Sequence, residues 1–281
     1  MIGDLHCHTT LSDGSLGIEE IIVQSKRMGL DVLAITDHDT LSSSQRAQIL
    51  GERYGVTIIP AVELSAWDKK RNCRVHILCY APQKPDRLEG LCLKSCEIRK
   101  ACSNDMIAKV MELYPITPEA VLKYTKSCKS LFKQHIMRAL VNYGYATSFY
   151  GELNHKLFNR ENGTCLVTRE YPDVNFVLDL IHSARGIAVM AHPYMFDSVE
   201  LLKELCEAGK IDGIEAYHYT ADTEEKKQEL LDIAQKYNLI VTGGSDFHGL
   251  YNEQPTYIGS RTTDDENLEK IFKAIAANQK K

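Results

Sequence analysis

The chain has 281 residues, 44% of them hydrophobic and 25% charged, which excludes a disordered class and leaves room for one large domain or a domain carrying an insertion. With no basic leader and no apolar run of bilayer length, the nine cysteines (7, 73, 79, 92, 96, 102, 128, 165 and 206) read as reduced thiols of a cytoplasmic protein rather than as a disulfide framework. The net charge of −5 is uneven: residues 84–160 hold 13 Lys and Arg against 7 Asp and Glu, leaving −11 elsewhere, the pattern of a basic segment held over an acidic body to attract an anion.

In chain order, short apolar runs bounded by turn residues predict strands at Ile2–His6, Val32–Thr36, Thr57–Val62, Arg74–Tyr80, Gly186–Ala191, Gly213–Tyr217 and Leu239–Thr242. Helical patterns fall between them at Ile18–Met28, Leu41–Tyr54, Val174–Ala184, Ser198–Ala208 and Ala221–Lys236, with a last amphipathic helix at Asp264–Ala277. Repeated βα units imply parallel strands covered by helices, in a barrel or an open sheet. From about Pro82 to Cys165 the strand-like runs stop, and helices are predicted at Asp86–Tyr114, Pro118–Lys126, Leu131–Tyr143 and Ser148–Phe158. The division expected is a body formed by residues 1–82 and 166–281, with 83–165 as an inserted helical subdomain.

The chemistry begins in DLHCHTTLSDG, from Asp4. His6 and His8 leave the same face of a strand while Cys7 points away, so two imidazoles converge. Asp13 follows in a Ser-Asp-Gly turn. Asp37 and His38 come after VLAIT, Glu63 after TIIPAV, His192 after IAVMA, and Asp246 with His248 after LIVTGGS, while His76 lies within RVHILCY. A lone histidine in such a position is usually structural. Several strands ending alike is different, because parallel α/β architectures gather those ends on one face. Imidazoles and carboxylates without thiolate suit Mn²⁺, Zn²⁺ or Fe²⁺ in a catalytic rather than a structural site, and the ligands outnumber what one ion takes.

The motifs HCH with Asp13, TDHD at 36–39, Glu63, His76, AHP at 191–193 and SDFH at 245–248 resemble those of the polymerase and histidinol phosphatase (PHP) family nearly end to end. The resemblance implies a distorted seven-stranded (β/α) barrel with two or three divalent ions and phosphoester hydrolysis by metal-activated hydroxide. It implies one ion on His6, His8, Glu63 and Asp246, a second on Glu63, His76 and His192, and a third on Asp13, His38 and His248. FKQHIMRALVNYGYATS and REYPDVNFVLDLIHSARGIAVMAHP resemble the branch acting on nucleoside 3′,5′-bisphosphates and the 5′ ends of short RNA. There the insertion often reads Arg-Pro-His. This chain has Lys133-Gln134-His135, so Arg138 or Lys133 would substitute for the missing arginine, with His135 as a further substrate contact.

Asp246 is expected to ligate and to orient the attacking water, and Asp37 to fix a ligand histidine's tautomer. His218 would touch the substrate phosphate or protonate the leaving group, or serve as a loop histidine; Glu215 is equally ambiguous. The expected partner is a small phosphorylated, nucleotide-type substrate, with short single-stranded nucleic acid beyond it and no membrane. A histidinol-phosphate or other small-molecule phosphatase is the nearest alternative. A non-enzymatic domain that keeps metals for structure and binds nucleic acid or a partner through the basic segment is the alternative of another class. No G-x-G-x-x-G, Walker lysine loop or G-x-S-x-G supports a dinucleotide, NTP or serine-nucleophile reading.

Overall fold

A computed structural model describes residues 1–125, 128 and 130–280. The strands are β1 (Gly3–Cys7), β2 (Val32–Ile35), β3 (Thr57–Asp68), β4 (Cys73–Tyr80), β5 (Ile187–Met190), β6 (Gly213–Tyr217) and β7 (Ile240–Gly243), paired in sequence order in one seven-stranded sheet. The sheet curls until its edges meet: Cys7 bridges Phe247, and the His8 N–H donates to the Phe247 carbonyl at 2.9 Å. That approach requires a glycine at 244, since a Cβ there would lie 2.2 Å from the Cβ of His6. The result is a nearly closed barrel.

The all-parallel expectation fails at one strand. β4 runs antiparallel to both β3 and β5, and β3 extends six residues past the predicted Val62, ending in a four-residue turn at 69–72. Asp68 accepts the backbone N–H groups of Lys70 and Arg71 there, and Asn72 takes a left-handed φ of 52°. RVHILCY is buried on both faces, so its apolar run carries no sign of direction.

Side chains alternate across the wall. Val62, Leu64, Ile77, Cys79 and Met190 pack outward against helices α7 (Val174–Ser183), α8 (Val199–Glu207) and α9 (Glu224–Tyr237), whereas Ala61, Leu78, Tyr80 and Val189 join a separate cluster with Leu268 and Ile271 of α10 (Asp265–Lys280). On the other flank, α1 (Ile18–Arg27) and α2 (Ser44–Tyr54) bury Ile21, Ile22 and Ala47 against Leu33 and Ile35. Each fully buried aliphatic side chain contributes about 1.5–3 kcal/mol.

Four helices fill the segment between β4 and β5: α3 (Asp86–Leu113), α4 (Pro118–Leu122), α5 (Lys133–Asn142) and α6 (Glu152–Phe158). The last residue of the predicted helix Pro118–Lys126 lies outside the described residues. α3 is shared, with Leu88 and Leu91 in the barrel's outer cluster and Met106, Ile107 and Val110 in a second core with Ile136, Leu140 and Phe158. Its middle is fastened by a buried ion pair from Arg99 to Asp39, in the loop after β2. Among the described residues no helix is long and apolar enough to cross a membrane.

Candidate metal centre

The nine predicted ligands meet at one end of the barrel. β1 delivers His6, and His8 follows just past its end, both fully buried. Glu63 lies in the middle of the long β3, not at a strand end, and His76 reaches it diagonally across the β3–β4 pairing, where Ser65 rather than Glu63 is its direct neighbour. His192 (φ 27°) and Asp246 (φ 49°) hold left-handed backbone just past β5 and β7, conformations that cost a non-glycine residue on the order of 1–2 kcal/mol and that concentrate at functional sites.

Glu63 stands at the centre. One carboxylate oxygen is 2.7 Å from His76 Nδ1 and 2.9 Å from His192 Nε2. The other is 3.2 Å from His6 Nε2, 3.1 Å from His8 Nε2 and 3.2 Å from His38 Nδ1. Asp246 Oδ1 lies 3.4 Å from His6 Nε2 and 3.2 Å from His8 Nε2. Asp13 Oδ1 is 3.3 Å from His248 Nε2, and its Oδ2 is 3.7 Å from His38 Nε2. His6, His8 and Asp246 therefore form one cluster, and His8, Asp13, His38 and His248 another. Glu63 joins His6 with His192, and His38 with His76.

Apart from the hydrogen bond between His192 Nε2 and Glu63 Oε1, these short distances are not hydrogen bonds. His6 Nε2, His8 Nε2, His38 Nδ1, His192 Nδ1, both nitrogens of His76, Asp13 Oδ1 and Glu63 Oε2 are buried without a hydrogen-bond partner. A buried polar atom left so costs about 1–3 kcal/mol, and lone pairs that converge without bonding one another are what divalent cations satisfy. The donor set fits that use.

Electrostatics agree. Although burial raises it, the imidazoles of His38, His76 and His6 hold the Glu63 carboxyl well below the usual range, and Asp13 and Asp246 are lowered likewise by their histidines. Burial lowers His76 to about 4, so its imidazole is neutral, as a ligand must be. His8 is raised to about 10 despite burial, by Asp246 and Glu63, so without cations protons offset part of the carboxylate charge.

A further layer fixes the rings. His248 Nδ1 donates to the Asp246 carbonyl oxygen at 2.8 Å, turning Nε2 inward. Glu215, ambiguous from sequence, is buried in the middle of β6 and bonds His6 Nδ1 at 2.9 Å. His218 does not line the cavity: its Nε2 lies 3.3 Å from Asp246 Oδ2 and its Nδ1 2.8 Å from Thr220 Oγ1. Asp37 contacts none of the nine candidate ligands through its hydrogen bonds. It accepts from Thr9 N, Thr9 Oγ1 and Ser12 Oγ at 2.7, 2.8 and 2.7 Å, and Ser12 Oγ lies 3.5 Å from His8 Nδ1.

A cavity of about 450 Å³ opens over the cluster, and Arg74, Arg99, Lys133 and Arg160 are also in its lining. Three of these four come from the basic segment noted in the sequence. Lys133 lines the cavity, but His135 and Arg138 do not. The ring of His135 is turned back to its own helix, where Nδ1 accepts the Phe132 N–H at 3.2 Å, and Arg138 lies over Tyr124 and Phe149. Gln134 instead reaches the cluster, its Nε2 3.3 Å from Asp13 Oδ2. Sequence spacing alone carried no sign of Arg74 or Gln134.

A family profile described as PHP domain matches residues 4–184. The chain is 36% identical over 263 residues to the phosphoribosyl 1,2-cyclic phosphate 1,2-diphosphodiesterase of Eggerthella lenta, spanning 93% of this chain and 99% of that protein. It is 30% identical over 257 residues to a 5′-3′ exoribonuclease of Escherichia coli, spanning 88% of this chain and 85% of that one. Among solved structures, one from Bifidobacterium adolescentis described as a candidate metal-dependent phosphoesterase superposes with a TM-score of 0.87 at 27% identity, over 97% of this chain and 96% of that one.

Proposed function

The chain belongs to the PHP domain family, and on that premise we propose that it is a metal-dependent phosphoesterase that opens or removes phosphate esters on ribose-type substrates. The observation that carries the reading is the set of buried, unpartnered nitrogen and oxygen atoms on His6, His8, Asp13, His38, Glu63, His76 and His192, the last five of which line a cavity that cationic side chains also line. With Asp246 and His248, these residues would hold two or three ions of Mn²⁺, Zn²⁺ or Fe²⁺. Bound there, such ions would polarise a phosphate ester and bring the pKa of water toward neutrality.

The chain's own residues do the rest. Glu215 fixes the tautomer of His6, the Asp246 carbonyl fixes that of His248, and His218 steadies Asp246 so that its Oδ1 faces His6 and His8. Residues 83–165 act as a cap over a barrel made of 1–82 and 166–281, and Phe132 of the cap, stacked on His38, keeps bulk water from the cluster. The cap's cations draw the substrate's anionic end inward.

The Eggerthella lenta relative matches more of this chain at higher identity than the exoribonuclease does, which favours a phosphoribosyl cyclic phosphate over RNA. Lys133-Gln134-His135, where the RNA-trimming branch often reads Arg-Pro-His, points the same way. The test is turnover in Mn²⁺ of phosphoribosyl 1,2-cyclic phosphate, adenosine 3′,5′-bisphosphate and a short 5′-phosphorylated RNA. The expected order begins with the cyclic phosphate, and His6→Ala abolishes all activity; equal turnover in that variant would remove the cluster from the reaction.

A further inference from the structure

Among the described residues, Asp13 is the one candidate ligand that receives a side-chain hydrogen bond from the cap: Gln134 Nε2, in the first turn of α5, donates to Asp13 Oδ2 at 3.3 Å. Asp13 Oδ1 is left buried without a hydrogen-bond partner, 3.3 Å from His248 Nε2 and 3.7 Å from His8 Nδ1. A carboxylate has two equivalent oxygens, and an amide that takes one fixes which of them remains for an ion. Because the amide is neutral, it orients Asp13 without cancelling the negative charge that a cation requires.

The cap also grips the neighbours of Asp13. Phe132 stacks on the ring of His38, 5.8 Å between centroids, and Arg99 pairs with Asp39, the residue after His38. The Tyr150 hydroxyl, which interacts with the Gln134 side chain, donates to the Tyr251 carbonyl at 2.8 Å, and the Phe149 ring meets that of Tyr251 edge-on at 5.2 Å. Tyr251 closes the single 3-10 turn that follows His248, its N–H 3.3 Å from the His248 carbonyl. Asp13, His38 and His248, which with His8 form one cluster, are thus each held from the cap or through a residue it grips. His6 and His192 are held instead by Glu215 of the barrel, and on that side the cap's Arg160 reaches the Met195 carbonyl rather than a ligand.

We propose that Gln134 is a positioning residue that presents Asp13 to an ion held with His38 and His248, so that this ion and the docked cap stabilise one another. Coupling of that kind is reciprocal: what the cap adds to the ion's affinity, the ion adds to the docking of the cap. A chain short of this ion carries a looser cap. The inference rests on the metal-dependent reading above, and not on which substrate is turned over.

Two measurements on the full chain test it without recourse to activity. In a Mn²⁺ titration followed by the free ion's paramagnetic resonance signal, Gln134→Met weakens one ion about tenfold and leaves the others unchanged, and it has no further effect once Asp13→Ala has removed that ion. In amide exchange read by mass spectrometry, saturating Mn²⁺ slows exchange in α5 and residues 144–151 of the unaltered chain at least about fivefold, and Gln134→Met cancels most of that slowing. Exchange in α10, which carries no candidate ligand, is the same with and without the ion. Should Gln134→Met fail to fold, Tyr150→Phe, which frees the Tyr251 carbonyl, is expected to reduce the Mn²⁺-dependent slowing in the same segments. Unchanged ion affinity in Gln134→Met, equal weakening of every ion, or cap exchange indifferent to Mn²⁺ overturns the proposal and, with phosphoester turnover intact, leaves the functional reading standing. Coupled ion binding and cap protection without turnover defeat only that reading, whereas a chain that binds no ion overturns both.

Discussion

Glu215 holds Nδ1 of His6 at 2.9 Å with one carboxylate oxygen, while its other oxygen accepts the backbone N–H of His192, also at 2.9 Å. One buried acid thus sets a ring on β1 and the turn after β5. Glu215→Gln keeps the shape and removes the charge that makes His6 a stronger donor. Metal affinity is expected to fall by about ten- to a hundredfold, as for other partners of ligating histidines. Competition against a chelator of known affinity measures it; an unchanged affinity would mean the contact serves packing alone.

The buried ion pair between Arg99 and Asp39 ties the cap to the loop that carries His38. Asp39→Asn tolerates the left-handed backbone at φ 53° but leaves a buried guanidinium uncompensated. The expected cost is about 3–5 kcal/mol, with amide exchange accelerating in α3 and α5 before the barrel strands. A uniform change across the chain would argue against a docking role.

His135 gives a pH signature. Burial lowers its pKa to about 4 in the folded chain, against about 6.5 when unfolded, and the neutral ring accepts the Phe132 N–H. Between those values the unfolded state binds the extra proton, so this stabilisation is complete above about pH 6.5 and shrinks as the pH falls toward 4, by about 3 kcal/mol in all. Urea unfolding of the chain and of His135→Gln, followed from pH 7 to 4.5, should show the gap between them closing. Parallel curves would place the ring in a solvated setting.

Asp37→Ala removes the acceptor shared by Thr9 N, Thr9 Oγ1 and Ser12 Oγ, which shape the turn leading to Asp13. The ion bound through Asp13, His38 and His248 should be lost first, seen as reduced metal content with the remaining ions retained. Loss of all ions together would mean that Asp37 supports the whole cluster.

The candidate ligands other than Asp13, which sits in a Ser-Asp-Gly turn, are legible because each lies on or beside a short apolar run, and the period of two alone makes His6 and His8 converge. The direction of β4 is not, since a strand buried on both faces looks the same either way. The signal available was the Asp68–Asn72 turn, which marks a hairpin and extends β3 past Glu63. The family resemblance makes His135 and Arg138 substrate contacts together with Lys133. Only the packing shows that α5 presents Lys133 and Gln134 to the cavity and turns the other two inward. Pairings such as Glu215 with His6 or Arg99 with Asp39 join distant segments and leave no local pattern.

The most direct test is the number of Mn²⁺ ions bound per chain, by elemental analysis after equilibrium dialysis, for the unaltered protein and for Glu63→Gln. Glu63 lies within 3.2 Å of five histidines, so replacing it should reduce a count above one to one or fewer and abolish phosphoester hydrolysis. A chain that binds no ion, or binds the same number after the substitution, would contradict a shared metal centre.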